Sequence, residues 1–213
     1  EKPVSKKYSN LSNALFVHPF DDNDVICGQS TIGYEIFEDL KNPDFICVCV
    51  GGGGLVSGIG NYLKVNNKDC KLICAEPENA NSLYLSLKKN KIVSVKSLDT
   101  FVDGAAVKTI GNKNFEIAKD VVDNVYNINK NLLCNYLVDV YQNDGIILEP
   151  AGILGLCSLE QIKNDIKGKN VVVILSGGNN DILRYNEILE RSLIHLGLKH
   201  YFIVDFNQRP GTL

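Results

Sequence analysis

Val48-Cys49-Val50-Gly51-Gly52-Gly53-Gly54-Leu55 sets four consecutive glycines where an apolar strand hands over to a helix. Residues 45–50 form a short apolar run that reads as a buried strand, and residues 55–63 carry apolar side chains at helical spacing. The glycines therefore sit at a helix N-terminus, where N–H groups without intrahelical partners and the positive end of the dipole favour an anion. Glycine lets several amides converge on one phosphate. A plain flexible turn needs only one or two glycines, so a phosphate-type ligand is the reading the run supports.

The kind of phosphate is a separate question. A P-loop requires Gly-Lys-Ser/Thr after the loop, and Leu55-Val56-Ser57 stands there instead. A dinucleotide fingerprint stays open as the runner-up. Gly52, Gly54 and Gly58 approximate its glycine pattern, and Glu76 ends the next apolar run, 71–75, at a spacing near that of a ribose-binding acid. Pro77 directly after that acid, and a loop more permissive than a dinucleotide turn needs, count against it.

Composition bounds the rest. The chain has 213 residues, 45% hydrophobic and 22% charged, enough for one substantial core. A net charge of −3, with no dense basic stripe, points away from nucleic acid. No apolar stretch approaches the roughly 20 residues that span a bilayer, so no membrane partner is expected. The seven cysteines are odd in number and mostly embedded in apolar runs such as Ile46-Cys47-Val48-Cys49. They read as reduced core residues in a cytoplasmic protein rather than metal ligands.

Strands and helices alternate. Strands are expected at 14–17, 45–50, 71–75, 124–127 and 170–175, and a last one at 201–206 before the turn at 207–211. Helices are expected at 29–40, 55–63, 79–87, 114–120, 131–141, from Glu149-Pro150-Ala151-Gly152 onward, and at 181–196, with 94–107 irregular. The pattern predicts an α/β fold with a doubly wound, mainly parallel sheet. In such sheets ligands gather at the carboxyl ends of strands, where both Gly51-Gly52-Gly53-Gly54 and Ser176-Gly177-Gly178 fall.

These residues resemble the fold-type II pyridoxal-phosphate enzymes of the tryptophan synthase β-like class, and within them the threonine and serine dehydratases. The resemblance rests on ordered motifs: His18-Pro19-Phe20-Asp21-Asp22, Val25-Ile26-Cys27-Gly28-Gln29-Ser30-Thr31-Ile32, Gly51-Gly52-Gly53-Gly54-Leu55, Glu76-Pro77, Asp103-Gly104, Glu149-Pro150-Ala151-Gly152 and Ser176-Gly177-Gly178-Asn179. It spans residues 14 to about 195. Leu198-Lys199-His200-Tyr201-Phe202-Ile203-Val204 and Gln208-Arg209-Pro210-Gly211 are similar to the start of the ACT-like regulatory domain of the biosynthetic threonine dehydratases.

The resemblance implies pyridoxal 5'-phosphate as cofactor and deamination of L-threonine to 2-oxobutanoate and ammonia, the entry to isoleucine synthesis. Serine racemase or dehydratase, another enzyme of the class, and a catalytically dead fragment are the alternatives. It implies that amides of Gly51, Gly52, Gly53, Gly54 and Leu55 bind the cofactor phosphate and that the Ser176 hydroxyl meets the pyridine nitrogen. Gly104 and Glu149 would line the ring and substrate region. A turn glycine and a helix-start acid are the plain readings of that pair.

The resemblance divides the chain into the end of a small domain at 1–17, the cofactor-binding domain at 18–192, and a linker with the first regulatory strand at 193–213. L-threonine, with L-serine beside it, is the implied substrate, and a homo-oligomer the implied assembly.

Departures from the family pattern are informative. Ser30 replaces a usual glycine. A metal site in some relatives pairs a glutamate with an aspartate six residues on, whereas Glu76 is followed by Ser82, so no metal is expected. The Ser-x-Lys-x-Arg lysine that forms the Schiff base is not in these residues. Lys6 and Lys7 follow Ser5 in a polar stretch and read as solvated surface. The chain contains no methionine and ends just past a strand pattern. The natural polypeptide is therefore expected to extend beyond both ends, the lysine to lie upstream, and the chain alone to be inactive.

Overall fold

A computed structural model describes residues 7, 9, 10, 14–67 and 69–205. Its centre is a four-stranded parallel sheet in the order β3-β2-β1-β4. The strands are β1 (Phe45–Cys49), β2 (Lys71–Pro77), β3 (Asn124–Ile128) and β4 (Val171–Val173). The helices are α1 (Asn23–Asp39), α2 (Gly54–Asn66), α3 (Ser82–Lys89), α4 (Asn112–Val121), α5 (Lys130–Asp144), α6 (Leu154–Cys157), α7 (Leu159–Ile162) and α8 (Tyr185–His195).

The sheet is covered on both sides, as its unbroken apolar strands require. Ile46 and Val48 of β1 and Leu72 and Cys74 of β2 pack with Val56, Ile59 and Leu63 of α2 and Phe115 and Ala118 of α4. Alternate residues face the other way. Phe45, Cys47 and Ile73 meet Ile162 of α7, and Ala75 meets Leu154 and Cys157 of α6 with Leu133, Leu137 and Ile188 from α5 and α8. The doubly wound α/β arrangement expected from the sequence is thus present.

Chain order explains where a ligand can go. Successive strands β1, β2 and β3 step outward in one direction, and β4 returns to the opposite side of β1. The connections leaving β1 and β4 diverge there and open a crevice at the carboxyl ends of those strands.

Helix ends are set locally. Asp22 caps α1 by accepting from the Asp24 N–H at 2.9 Å, and Asn129 caps α5 through the Asn131 N–H. Gly145, at φ +69°, closes α5 in the left-handed conformation that glycine adopts without strain.

Four expectations need correction. Residues 14–17 form no strand; Leu15 and Val17 are exposed, and no strand pairs with them among the described residues. The segment from Glu149 makes single turns, and α6 begins only at Leu154: the Gly152 carbonyl, which a helix would offer to the Leu156 N–H, accepts instead from the Ser176 N–H and stitches the segment to the loop after β4. The helix expected at 181–196 is split into a 3-10 turn, Ile182–Arg184, and α8. Residues 201–205 are exposed and, among the described residues, pair into no sheet; an apolar alternation makes a strand only when another strand supplies its hydrogen bonds. Phe206, the turn at 207–211, Ser5 and Lys6 lie outside the described residues, whereas Lys7 is helical and exposed.

Among the described residues no helix is long and apolar enough to cross a membrane. All seven cysteines are free thiols.

Candidate functional site

The glycine loop leaves β1 at Cys49 and turns into α2 through Gly53, whose φ of +93° is a conformation that disfavours any side chain. The first N–H groups of α2 point out of the helix end toward the crevice. Close packing already fills the space beside two of its glycines. A Cβ on Gly52 would stand 2.2 Å from Cγ of Phe20, and one on Gly53 would stand 2.8 Å from Cβ of Asn114. Glycine is therefore demanded by close approach as well as by conformation.

Three contacts clamp the loop in place. Asn114 donates through Nδ2 to the carbonyls of Phe20 at 2.8 Å and Gly52 at 2.9 Å. The Gly111 N–H donates to the same Gly52 carbonyl. Asp21 accepts from the N–H groups of Asn112 at 3.0 Å and Lys113 at 2.9 Å, which caps α4 from a residue 91 positions before Asn112 in sequence. The loop at 18–22 thus joins the start of α4 to the outer wall of the glycine turn.

The inner side is open. A cavity of about 270 Å³ is lined by Gly51, Gly52, Gly53, Gly54 and Leu55, with Phe20, Gln29, Cys49, Gly104 and Val107 around them. A second cavity of similar size, about 290 Å³, lies near Lys64, Cys70 and Asp123, which flank the amino ends of β2 and β3. Parallel sheets place ligand chemistry at the carboxyl ends, so the first cavity is the candidate site.

From there the remaining sequence-derived residues follow in contact. The turn Asp103–Ala105 lies against the glycine loop, so that a Cβ on Gly51 would be 3.3 Å from the Gly104 carbonyl oxygen. Oε1 of Glu149 approaches Gly104, where a Cβ would stand 3.2 Å from it, and Gly177, where a Cβ would stand 2.3 Å away. Gly177 has φ +71°. Ser176 Oγ lies 3.5 Å from Sγ of Cys49. Gly51, Gly52, Gly53, Gly54, Leu55 and Gly104 line the cavity itself, and Ser176 and Glu149 join its rim through Cys49 and Gly104.

Glu76 is elsewhere. Its carboxylate is fully buried and accepts from the N–H groups of Leu83 and Tyr84, each at 2.8 Å, at the start of α3. Burial raises its pKa to about 8 against the pull of those two bonds. A residue engaged in this way is not presented to a ribose.

Sequence reasoning missed four residues that shape the site: Phe20, Asp21, Asn114 and Cys49. The first two lay inside a quoted motif without a role. Asn114 and Cys49 carried no sequence signal, since one reads as a surface polar residue and the other as a core thiol.

The donor set suits a small phosphorylated ring. Backbone amides at a helix start can accept a phosphate, a cavity of this volume has room for a ring, and the Ser176 hydroxyl stands beside Cys49, which lines it.

Comparison with known proteins agrees in kind. The family profile described as "Pyridoxal-phosphate dependent enzyme" matches residues 2–177. The biosynthetic L-threonine dehydratase IlvA of Bacillus subtilis is 48% identical over 199 residues, covering 93% of this chain and 47% of that protein. The corresponding protein of Halalkalibacterium halodurans is 43% identical over 210 residues, covering 98% of the chain and 51% of the relative.

Among solved structures, the processed threonine deaminase isoform 2 of Solanum lycopersicum superposes with a TM-score of 0.84 at 32% identity, covering 88% of this chain and 55% of that one. Maize serine racemase does so with a TM-score of 0.80 at 27% identity, covering 92% and 61%. The chain spans about half the length of the curated relatives it matches.

Proposed function

Because the chain belongs to the pyridoxal-phosphate-dependent enzyme family, we propose that it carries the cofactor-binding part of a biosynthetic threonine dehydratase. The complete protein would convert L-threonine to 2-oxobutanoate and ammonia and so feed isoleucine synthesis. The observation that carries this reading is the juxtaposition of the Gly51-Gly52-Gly53-Gly54 cradle with the rim hydroxyl of Ser176, bridged by Cys49. Relatives named for threonine dehydratase at 43% and 48% identity support the substrate.

The residue roles are those the resemblance implies. Amides of Gly51, Gly52, Gly53, Gly54 and Leu55 hold the phosphate, helped by the dipole of α2. The Ser176 hydroxyl holds the ring nitrogen, and because a hydroxyl is not a charged partner it leaves that nitrogen without its proton. Gly104 keeps the ring edge free of side chains, and Glu149 places a carboxylate beside it. When bound, pyridoxal phosphate supplies an electron-withdrawing ring that eases loss of a proton and of the β-hydroxyl from the amino acid.

The same reading divides the chain at 1–17, 18–192 and 193–213, with the last part leading into an ACT-like regulatory domain. It places the protein in the cytoplasm as a homo-oligomer. Superposition with maize serine racemase favours L-serine as the comparison substrate.

The test is to isolate the protein as its source makes it, saturate it with pyridoxal phosphate, and measure 2-oxobutanoate from L-threonine beside D-serine from L-serine. Formation of 2-oxobutanoate in excess supports the dehydratase. Racemisation of serine without deamination of threonine overturns it.

A further inference from the structure

Cys49 ends β1 and stands between the two halves of the site. It lines the cavity, and its Sγ is 3.5 Å from Oγ of Ser176, 127 positions later in the chain. The contact has two directions. A serine hydroxyl has one proton to give and two lone pairs with which to accept, while a thiol is a weak donor and a weak acceptor.

If Ser176 gives its proton to sulfur, only oxygen lone pairs face the cavity. An aromatic nitrogen placed there would need a proton of its own. If Cys49 gives its proton to oxygen, the serine proton is free to meet the nitrogen. A ring nitrogen is a far better acceptor than a thiol sulfur, so the stronger donor goes to it and the weaker S–H completes the chain. Burial, joined by the nearby charge of Glu149, pushes the thiol pKa up, so the sulfur keeps its hydrogen at neutral pH.

Resting on the assignment of this cavity to pyridoxal phosphate, we propose that Cys49 is a positioning residue whose S–H donates to Ser176 Oγ and turns the serine proton toward the cofactor ring nitrogen.

The experiment uses the full polypeptide and pyridoxal phosphate labelled with ¹⁵N in the ring. Nitrogen NMR reports the protonation of the ring across pH, and fluorescence gives the dissociation constant. Cys49→Val fills the volume without a donor and suits a strand, Cys49→Ala is the smaller donor-free variant, and Cys49→Ser restores a donor. In the parent the ring nitrogen is unprotonated at neutral pH. In both donor-free variants the nitrogen titrates at higher pH and affinity falls about threefold to tenfold. Cys49→Ser returns both to the parent value.

The outcomes separate the two readings. A parent that binds with an unprotonated nitrogen, together with a donor-free variant whose titration is unchanged, overturns the role of Cys49 and leaves the cofactor assignment standing. A parent that does not bind pyridoxal phosphate at all overturns both.

Discussion

Gly152 lies against the backbone of Ser176: a Cβ on residue 152 would be 1.8 Å from the Ser176 carbonyl oxygen. The Ser176 N–H in turn donates to the Gly152 carbonyl. The turn before α6 therefore fixes where β4 delivers its serine. Gly152→Ala must push that backbone aside. We expect destabilisation of about 1–3 kcal/mol, read as a lower melting temperature, with a larger proportional loss of pyridoxal phosphate affinity than of stability. Unchanged affinity in a folded variant would disprove the coupling.

Two glycines give opposite expectations. At Gly52 a methyl group meets the Phe20 ring, so Gly52→Ala displaces the clamp over the loop and weakens phosphate binding. At Gly28, inside α1, nothing lies within 4 Å of an added Cβ. Gly28→Ala should raise stability by roughly 0.5–1 kcal/mol, the ordinary gain of alanine over glycine in a helix. Thermal unfolding of the pair checks both signs.

Asp21 holds the start of α4 through two backbone N–H groups. Asp21→Ala removes a cap worth about 0.5–2 kcal/mol. Because Asn114 in the same first turn grips Gly52, the variant should also bind inorganic phosphate less tightly. A loss of stability with phosphate binding intact would mean that the clamp and the cradle are independent.

Glu76 sets a pH dependence. Its folded pKa, about 8, is raised by burial above the ordinary 4.5, so the fold favours the neutral acid. That contribution is complete below pH 4.5 and is lost as pH rises through 8, on the order of 5 kcal/mol in all. Asp99, held below the usual carboxylate range by Lys130, acts in the opposite sense and destabilises the protein as pH falls below about 4. Glu76→Gln leaves one N–H of α3 without an acceptor and should cost about 1–3 kcal/mol at pH 5. Its stability should then stay flat to pH 8 while that of the parent declines. Melting curves at pH 5, 6, 7 and 8 decide it, and parallel slopes for the two proteins would sink the assignment.

Arg184 ties the segment before α8 to the loop that carries Gly104. Its guanidinium donates to the Phe101 carbonyl, stacks 4.7 Å from the Phe101 ring centre, and lies 3.7 Å from the Asp103 carboxylate. Arg184→Lys keeps the charge and loses the planar fork. We expect it to loosen residues 101–105, seen as faster hydrogen exchange there, with cofactor affinity reduced severalfold. Protection equal to that of the parent would show that the loop holds itself.

What the sequence revealed was whatever is decided within one element. The apolar runs at β1 and β2, the spacing of Leu133, Leu137 and Val140 in α5, and the glycine loop were all legible because their signals are periodic or confined to a few residues. The misplaced pieces depend on distant partners. Residues 14–17 have a strand's composition and, among the described residues, no neighbour to pair with, and the segment from Glu149 gives up helical bonding where the Gly152 carbonyl accepts from Ser176. Cys49 looked like a core thiol because its role exists only once β4 brings Ser176 beside it. Six of the eight sequence-derived site residues line one cavity, Ser176 and Glu149 stand beside it against Cys49 and Gly104, and the side chains that brace them came into view only in three dimensions.

The strand order also governs how the molecule comes into being. β1, β2 and β3 assemble from neighbouring stretches of chain, but Phe45 of β1 finds its other partner only at Val171. At ribosomal speeds of about 5–20 residues per second, that edge of β1 waits on the order of ten seconds for β4 to emerge. During this interval a row of unpaired amides flanked by Phe45, Ile46 and Cys47 is open to any other nascent chain. Arrival of β4 closes the edge and delivers Ser176 in the same movement, so this part of the candidate site forms with the last of the described strands.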